Sequence, residues 1–254
     1  SKNIVVRGLG DRYNSTTLNG LPLPSDDPEY KNISLDFFDT SIIKNIGINK
    51  VFTSEINGDV GGANIDISSK ELSKKKLFNI GTSLGVNTQT VSKEFLTIDG
   101  TNRFGTQNLS IPVNDLNKYS FNNSFRPRSQ DFQFDNSFSF AGGRKYDIND
   151  DTFSFFVVGA FDAGYNFLEG NIKQTTSAGA IFLDQDFSKY DFNVSQILMA
   201  NLNYKFDAGH NIAYNHLFIH NNKQSIGDYF GEVNPEQDGD LEFQRRQQTN
   251  NNEV

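Results

Sequence analysis

Three histidines, His210, His216 and His220, are the first residues in this chain that could do chemistry, since imidazoles are both general bases and metal ligands. On one strand, His216 and His220 share a face but stand ~13 Å apart at the usual rise per residue, too far to grip one ion. Girdle or loop positions suit them better. Asp147-x-Asn149-x-Asp151 begins like a calcium loop, but Thr152 and Val158 hold the places of the glycine and the bidentate glutamate, so a hairpin turn is expected. The Gly58–Gly62 run lacks the Lys-Ser/Thr of a phosphate loop and is expected to be a turn. The chain has no cysteine and no Gly-x-Ser-x-Gly elbow, which removes thiol nucleophiles, thiolate metal sites and disulfides. No enzyme activity, metal or cofactor is expected.

The 254 residues carry 23 Lys and Arg against 31 Asp and Glu, a formal net charge of −8, and no basic run offers a phosphate backbone a track. Nucleic acid is therefore not expected as a partner. No apolar run approaches the ~20 residues of a spanning helix; Phe155 to Phe161 is only strand length and contains Gly159.

Past Ser73-Lys74-Lys75-Lys76 the pattern is strict alternation. Phe78, Ile80, Thr82, Leu84 and Val86 share one face of a predicted strand, and Phe132, Phe134, Phe138 and Phe140 repeat the pattern. Further strands are predicted over 152–167, 192–206 and 211–225, with a sixth from about Leu241. Joins at Asp147–Asp151 and Asp207–His210 are tight, whereas 88–131, 168–191 and 222–240 read as long polar loops. Short turns on one rim, long loops on the other and apolar-out, polar-in strands are the layout of an outer-membrane barrel. Tyr146, Tyr165, Phe167, Tyr190, Phe192, Tyr204 and Phe206 would form its aromatic girdles. A soluble antiparallel sandwich also alternates, but unstructured connections beyond ~12–15 residues are uncommon in compact domains.

Ahead of these strands the chain is crowded with turns. Ile4 to Arg7 reads as a strand ending at Gly8, Leu35 to Ile43 as a short helix, and Ile46-x-Ile48-x-Lys50 and Asn64 to Ser68 as strands. Arg7-Gly8-Leu9, Arg12-Tyr13-Asn14, Leu18-Asn19-Gly20, the Lys50 strand, Gly58-Asp59, Gly61-Gly62 and Asn64-Ile65-Asp66-Ile67 occur in an order and spacing that resemble the C-terminal part of the plug domain of TonB-dependent outer-membrane receptors. The resemblance covers roughly the first seventy-six residues, well beyond a short motif.

The resemblance implies a mainly β protein: the C-terminal part of a small α+β plug (1–70), a linker (71–76), and the first antiparallel strands of a transmembrane β-barrel (77–254), about six of about 22. It implies an internal piece of a receptor in the bacterial outer membrane that imports a scarce ligand of the siderophore, cobalamin or oligosaccharide class. Its partners would be outer-membrane lipid, that ligand, and the TonB energy-transducing protein, engaged through a TonB box outside this chain. Ser25, Asp26, Asp27, Thr53, Ser54 and Glu55 map to the plug's ligand-facing apices, although solvated turns have the same composition. Arg7 and Arg12 map to plug–wall anchors, and Gly8, Asn19, Gly20, Lys50, Gly58, Gly61 and Gly62 carry the plug motif. A transducer-type receptor and a secreted or periplasmic all-β binding module are the alternatives.

Overall fold

The computed structural model describes residues 6, 8, 13–23, 38, 40, 42–54, 56–72, 74–91, 93–106, 125–130, 133–206, 209–233 and 241–253. The protein is mainly β, and all its strand pairs but one are antiparallel among the described residues. A small sheet is built from β1 (Ser15–Leu18), β2 (Leu21–Pro22), β3 (Ile43–Asn49) and β4 (Asn64–Ser69), in the order β2-β1-β4-β3 with β1 and β4 parallel. The predicted strands over 46–50 and 64–68 correspond to β3 and β4, with Lys50 one residue beyond β3.

The predicted helix over Leu35–Ile43 is corrected at its end, because Ile43 opens β3 and pairs with Ser69. Phe38 and Ile42 share a buried environment, as helical spacing requires, yet Phe38, Thr40 and Ile42 lie in bends and turns; the rest of that stretch is outside the described residues. Helical spacing of apolar residues is also met by a turn leading into a β-branched strand, and here Ile42 ends the turn and Ile43 opens the strand.

The large sheet is a six-stranded meander, ordered β12-β11-β10-β9-β8-β5, from β5 (Lys76–Gly85), β8 (Asp135–Ile148), β9 (Asp151–Thr175), β10 (Ile181–Phe206), β11 (His210–Val233) and β12 (Leu241–Glu253). All six predicted strands are present. Between β5 and β8 lie a short helix, α1 (Thr88–Val91), and a two-stranded ribbon of β6 (Phe95–Thr97) and β7 (Arg128–Gln130), where the sequence predicts an unstructured loop. The two-residue turn at Asn149-Asp150 has Asn149 at φ 53°, the left-handed conformation that asparagine tolerates better than most side chains. The Asp147–Asp151 motif is thus a hairpin turn.

Residues 168–175, 181–191 and 222–233, which the sequence places in long loops, are instead paired strand. The β9–β10 ladder continues to Ile181↔Thr175 and closes in a turn held by Thr176 N–H donating to Ala180 O (2.8 Å) and Gly179 N–H to Thr176 O (2.9 Å). Likewise β11 pairs with β10 as far as Leu183↔Val233. Hydrophobic alternation misses these extensions because polar side chains join their strands: Lys173 Nζ lies 2.7 Å from Asp184 Oδ2, and Asn171 Nδ2 donates to Asp184 Oδ1 (2.8 Å) and Asp186 Oδ1 (3.1 Å).

Hydrogen bonds from Lys173 and then Asn171 hold the Asp184 carboxyl below its ordinary range. A carboxyl whose folded value lies below its unfolded value stabilises the fold above the unfolded value, and that contribution is lost as pH falls through the folded one. Amide exchange over residues 172–183, corrected for intrinsic rates, should therefore accelerate below about pH 4. In Asp184→Asn this acid step should be absent.

The register gives the large sheet two unlike faces. One carries Gly81, Ser83, Ser137, Ser139, Asn201 and Asn203, with a patch formed by Phe156, Val158, Ile197, Met199 and Ile219. The small sheet sits on that patch. The opposite face carries Phe78, Ile80, Leu84, Phe138, Leu198, Leu202 and Ile212, all exposed. Gly159 belongs to this second face, and its missing side chain leaves the space that the ring of its partner Phe140 occupies.

Near its far end this apolar face is crossed by a strap running from α1 to Thr106. Phe95, 1% exposed, meets Tyr165 and Tyr190 edge-on at 5.3 and 5.4 Å. Phe104 packs on Phe161 (5.6 Å) and accepts a hydrogen bond at its carbonyl from Gln196 Nε2 (2.6 Å). Lys93 reaches both Glu169 (2.5 Å) and the face of Phe167 (4.2 Å). The predicted girdle is thereby divided. Tyr165, Phe167, Tyr190 and Phe192 lie around the strap, while Tyr146, Tyr204 and Phe206 stand at the short-turn rim. Phe134 is exposed ahead of β8, and Phe132 is outside the described residues.

Candidate functional site

The site is where the small sheet meets the wall, together with the face it leaves open. Alternation along β4 sets both sides: Ile65 and Ile67 are buried, whereas Asn64 and Asp66 point the other way. Phe38, Ile42 and Ile67 pack with Phe156, Val158, Ile197, Met199 and Ile219, flanked by Leu18, Ile43 and Leu217. The described part of the contact is thus apolar, whereas the resemblance puts arginine anchors between plug and wall. Arg7 and Arg12, the expected anchors, lie outside the described residues. A strand whose one face must be apolar for the small sheet's own packing brings the same side chains to the wall.

The chain between the two sheets is tied at both ends. Lys70 N–H donates to Ile42 O (2.7 Å) and Lys70 Nζ to Thr40 O (2.6 Å), while Lys145 N–H donates to Lys75 O (2.9 Å). Leu72 lies against Gly143, where a side chain would crowd it.

The motif glycines have distinct roles. Asn19 (φ 51°) and Gly20 (φ 81°) make the β1–β2 turn, and Asn19 fastens it to the end of β4 by accepting from Ser69 N–H (2.9 Å) and donating to Ser69 Oγ (2.9 Å). Gly62 passes so close to Asn14 that any side chain would collide with its amide oxygen. Asn14 is fully buried and accepts from Ala63 N–H (3.0 Å) at that oxygen. Gly61 lies against Tyr13, Gly58 stands in open space, Gly8 has φ 71° with nothing near it, and Lys50 is exposed.

Of the predicted apex residues, Thr53 lines a cleft on the open face and Ser54 is exposed beside it. Ser25, Asp26, Asp27 and Glu55 lie outside the described residues. The cleft holds about 230 Å³ and is bounded by Ser15, Thr17, Asn49, Thr53, Asn57 and Asp66, with Pro22 and Ile56 as its apolar parts. Asp66 Oδ1 accepts from Thr17 Oγ1 (2.7 Å) and Gly20 N–H (3.0 Å), and Ser15 Oγ donates to Asn64 Oδ1 (2.7 Å). Sequence reasoning named neither Asn57 nor Asp66 as site residues. The Asn64-Ile65-Asp66-Ile67 alternation was the available signal, since it gives β4 a polar face as surely as an apolar one.

The histidines do not converge. His210 stacks on Phe206 (5.8 Å) at the short-turn rim, His216 is exposed, and His220 is buried alongside Phe218. No group of three His, Asp or Glu residues among those described is placed to hold a metal ion. No helix among the described residues is long and apolar enough to cross a membrane, which says nothing of strands. The architecture defines the chain as a mainly β, antiparallel protein with a small mixed sheet seated on one face of a long-stranded meander. Compared with family models, curated proteins and solved structures, the chain matches none.

Proposed function

We propose that this chain is the plug, with the first wall strands, of a TonB-dependent receptor that actively imports a scarce ligand across the bacterial outer membrane. The observation that carries this reading is the sidedness of the six-stranded meander, which bears a small sheet on its largely polar face and an uncovered apolar band on the other. On β9 the band runs from Phe153 to Phe161, where Phe104 of the strap covers its far end, roughly 26 Å along the strand at the usual rise. At a tilt of about 40° this gives a height of about 20 Å, near the ~25 Å apolar band of an outer-membrane barrel. The short turn at Asn149-Asp150 and the adjoining ends of β10 and β11 at Phe206 and His210 lie below it, and β9, β10 and β11 extend far beyond it.

The seat also suits a gate that needs work to open. Full burial of an aliphatic or aromatic side chain contributes about 1.5–3 kcal/mol, so Phe38, Ile42 and Ile67 together hold the small sheet with at most about 5–9 kcal/mol. Thermal motion rarely overcomes that barrier, and a pull delivered by TonB through a box outside this chain can. The wall would contact outer-membrane lipid, the lumen would pass a small molecule or oligosaccharide, and no cofactor is required.

Fractionation of the full-length protein tests the reading. Recovery in the outer membrane after carbonate washing is the expected result, and recovery in the soluble fraction would defeat it.

A further inference from the structure

We infer that the tip of the strap, residues 102–106, is a membrane-interface anchor: Phe104 enters the edge of the bilayer, Arg103 meets the headgroup phosphates, and the wall is thereby held at a fixed depth. This rests on the receptor reading and assigns the lipid contact on its outer surface. The face concerned is the one turned away from the small sheet, so it stays on the outside however many strands complete the wall. Its cover changes along a single ladder row. Leu84 on β5 is 76% exposed, and its row continues through Asn136, Ala163 and Val194 to Asn222 on β11, where Ala163, Val194 and Asn222 are buried. Barrel strands tilt by about 40°, so four strand steps of about 4.8 Å carry such a row about 12 Å along the membrane normal. A bilayer that reaches Leu84 therefore stops short of Asn222, and the strap begins where lipid ends.

The tip is built to hold its position. Asn102 Oδ1 accepts from Phe104 N–H (2.9 Å) and Thr106 N–H (3.2 Å), and Gly105 N–H donates to Asn102 O (3.0 Å). Gly105, at φ 74°, lies so close to the wall that a side chain there would collide with Asn222 and Val194. Gln196 Nε2 ties down the Phe104 carbonyl (2.6 Å). Held in this way, Phe104 covers Phe161 with one side of its ring and still remains 60% exposed at the end of the apolar band. Arg103 is exposed beside it and makes no ion pair among the described residues. A ring at the boundary of acyl chains and headgroups, with a cation next to it, is the composition of interfacial anchors, and guanidinium matches phosphate geometry. Above the tip the same face gives lipid no footing. Tyr165 and Tyr190 close around Phe95, and the strands then carry the hydrogen-bonded Asn171, Asp184 and Asp186.

Nitroxide labels on the full-length protein test this in phosphatidylcholine vesicles, with and without phosphatidylglycerol, after any cysteine elsewhere in the protein is replaced by serine. Phe104→Cys carries the label at the tip, Leu202→Cys on β10 the label in the band, and Phe230→Cys on β11 the label far above it. Collision with oxygen and with a water-soluble nickel chelate reports the depth of each, and unchanged circular dichroism is the folding control. The Leu202 label should meet oxygen and be shielded from nickel, and the Phe230 label should show the reverse. The Phe104 label should lie between them, within about 10 Å of the phosphates. Arg103→Glu should raise nickel access to the Phe104 label about twofold in the vesicles with phosphatidylglycerol, and by less in the neutral ones. Nickel access at Phe104 equal to that at Phe230, or an equal response to Arg103→Glu in both vesicles, would overturn the inference. The two failures separate cleanly: a Leu202 label in lipid with a Phe104 label in water sinks the anchor alone, and a Leu202 label in water sinks the receptor.

Discussion

Uptake should stop when the small sheet is covalently fastened to the wall, and should return on reduction. The 254 residues contain no cysteine, so within them a pair placed across the seat has only each other to bond. Ile42 or Ile67 on one side and Met199 or Leu217 on the other occupy the same apolar contact, and the pair with Cα atoms about 4.4–6.8 Å apart will close without strain. A bridge there holds the seat against any pull that covalent bonds withstand. The expected result is near-complete loss of energised uptake in the oxidised double variant, full binding of ligand, and recovery with dithiothreitol. Undiminished transport with the bridge fully formed would show that the small sheet does not have to leave the wall.

The second large effect concerns the opposite face. Leu198 of β10 stands within the apolar band, paired with Gly159 and Phe218, and is 40% exposed. In a lipid-facing band, Leu198→Arg should cost about 2–4 kcal/mol of folding stability in bilayers. On a soluble sheet the same exposed substitution changes stability by only about 0.5 kcal/mol. Urea unfolding in phospholipid vesicles distinguishes the two, and a value near zero in a folded variant would place this face in water. Ser139→Arg, on the inner face, is the matched comparison and should be milder.

Much of this was legible beforehand because strand alternation is a local signal. Phe78, Ile80 and Leu84 announce β5 without knowledge of its partner, and Asn149 and Asn19 announce their turns, since a left-handed backbone narrows the choice of residue. Charge and amide pairs across strands are not local. Lys173 and Asp184 look like loop residues until they face each other, which is why β9 and β10 continue through a stretch that reads as loop. The strap was hidden for the same reason: Phe95 is an isolated aromatic in a polar segment until Tyr165 and Tyr190 close around it.

The candidate site divides along the same line. The sequence by itself determined the six-strand rhythm, the short turns and the two faces of β4, because each follows from the period of a single strand. Only the tertiary structure decided which face meets the wall, that the seat is apolar around Ile67 and Met199, and that Thr53, Asn57 and Asp66 bound one cleft. Those residues come together through the parallel pairing of β1 with β4 and the docking of one sheet on another. Contacts between distant segments depend on how two surfaces fit, and no periodicity within either surface encodes that fit.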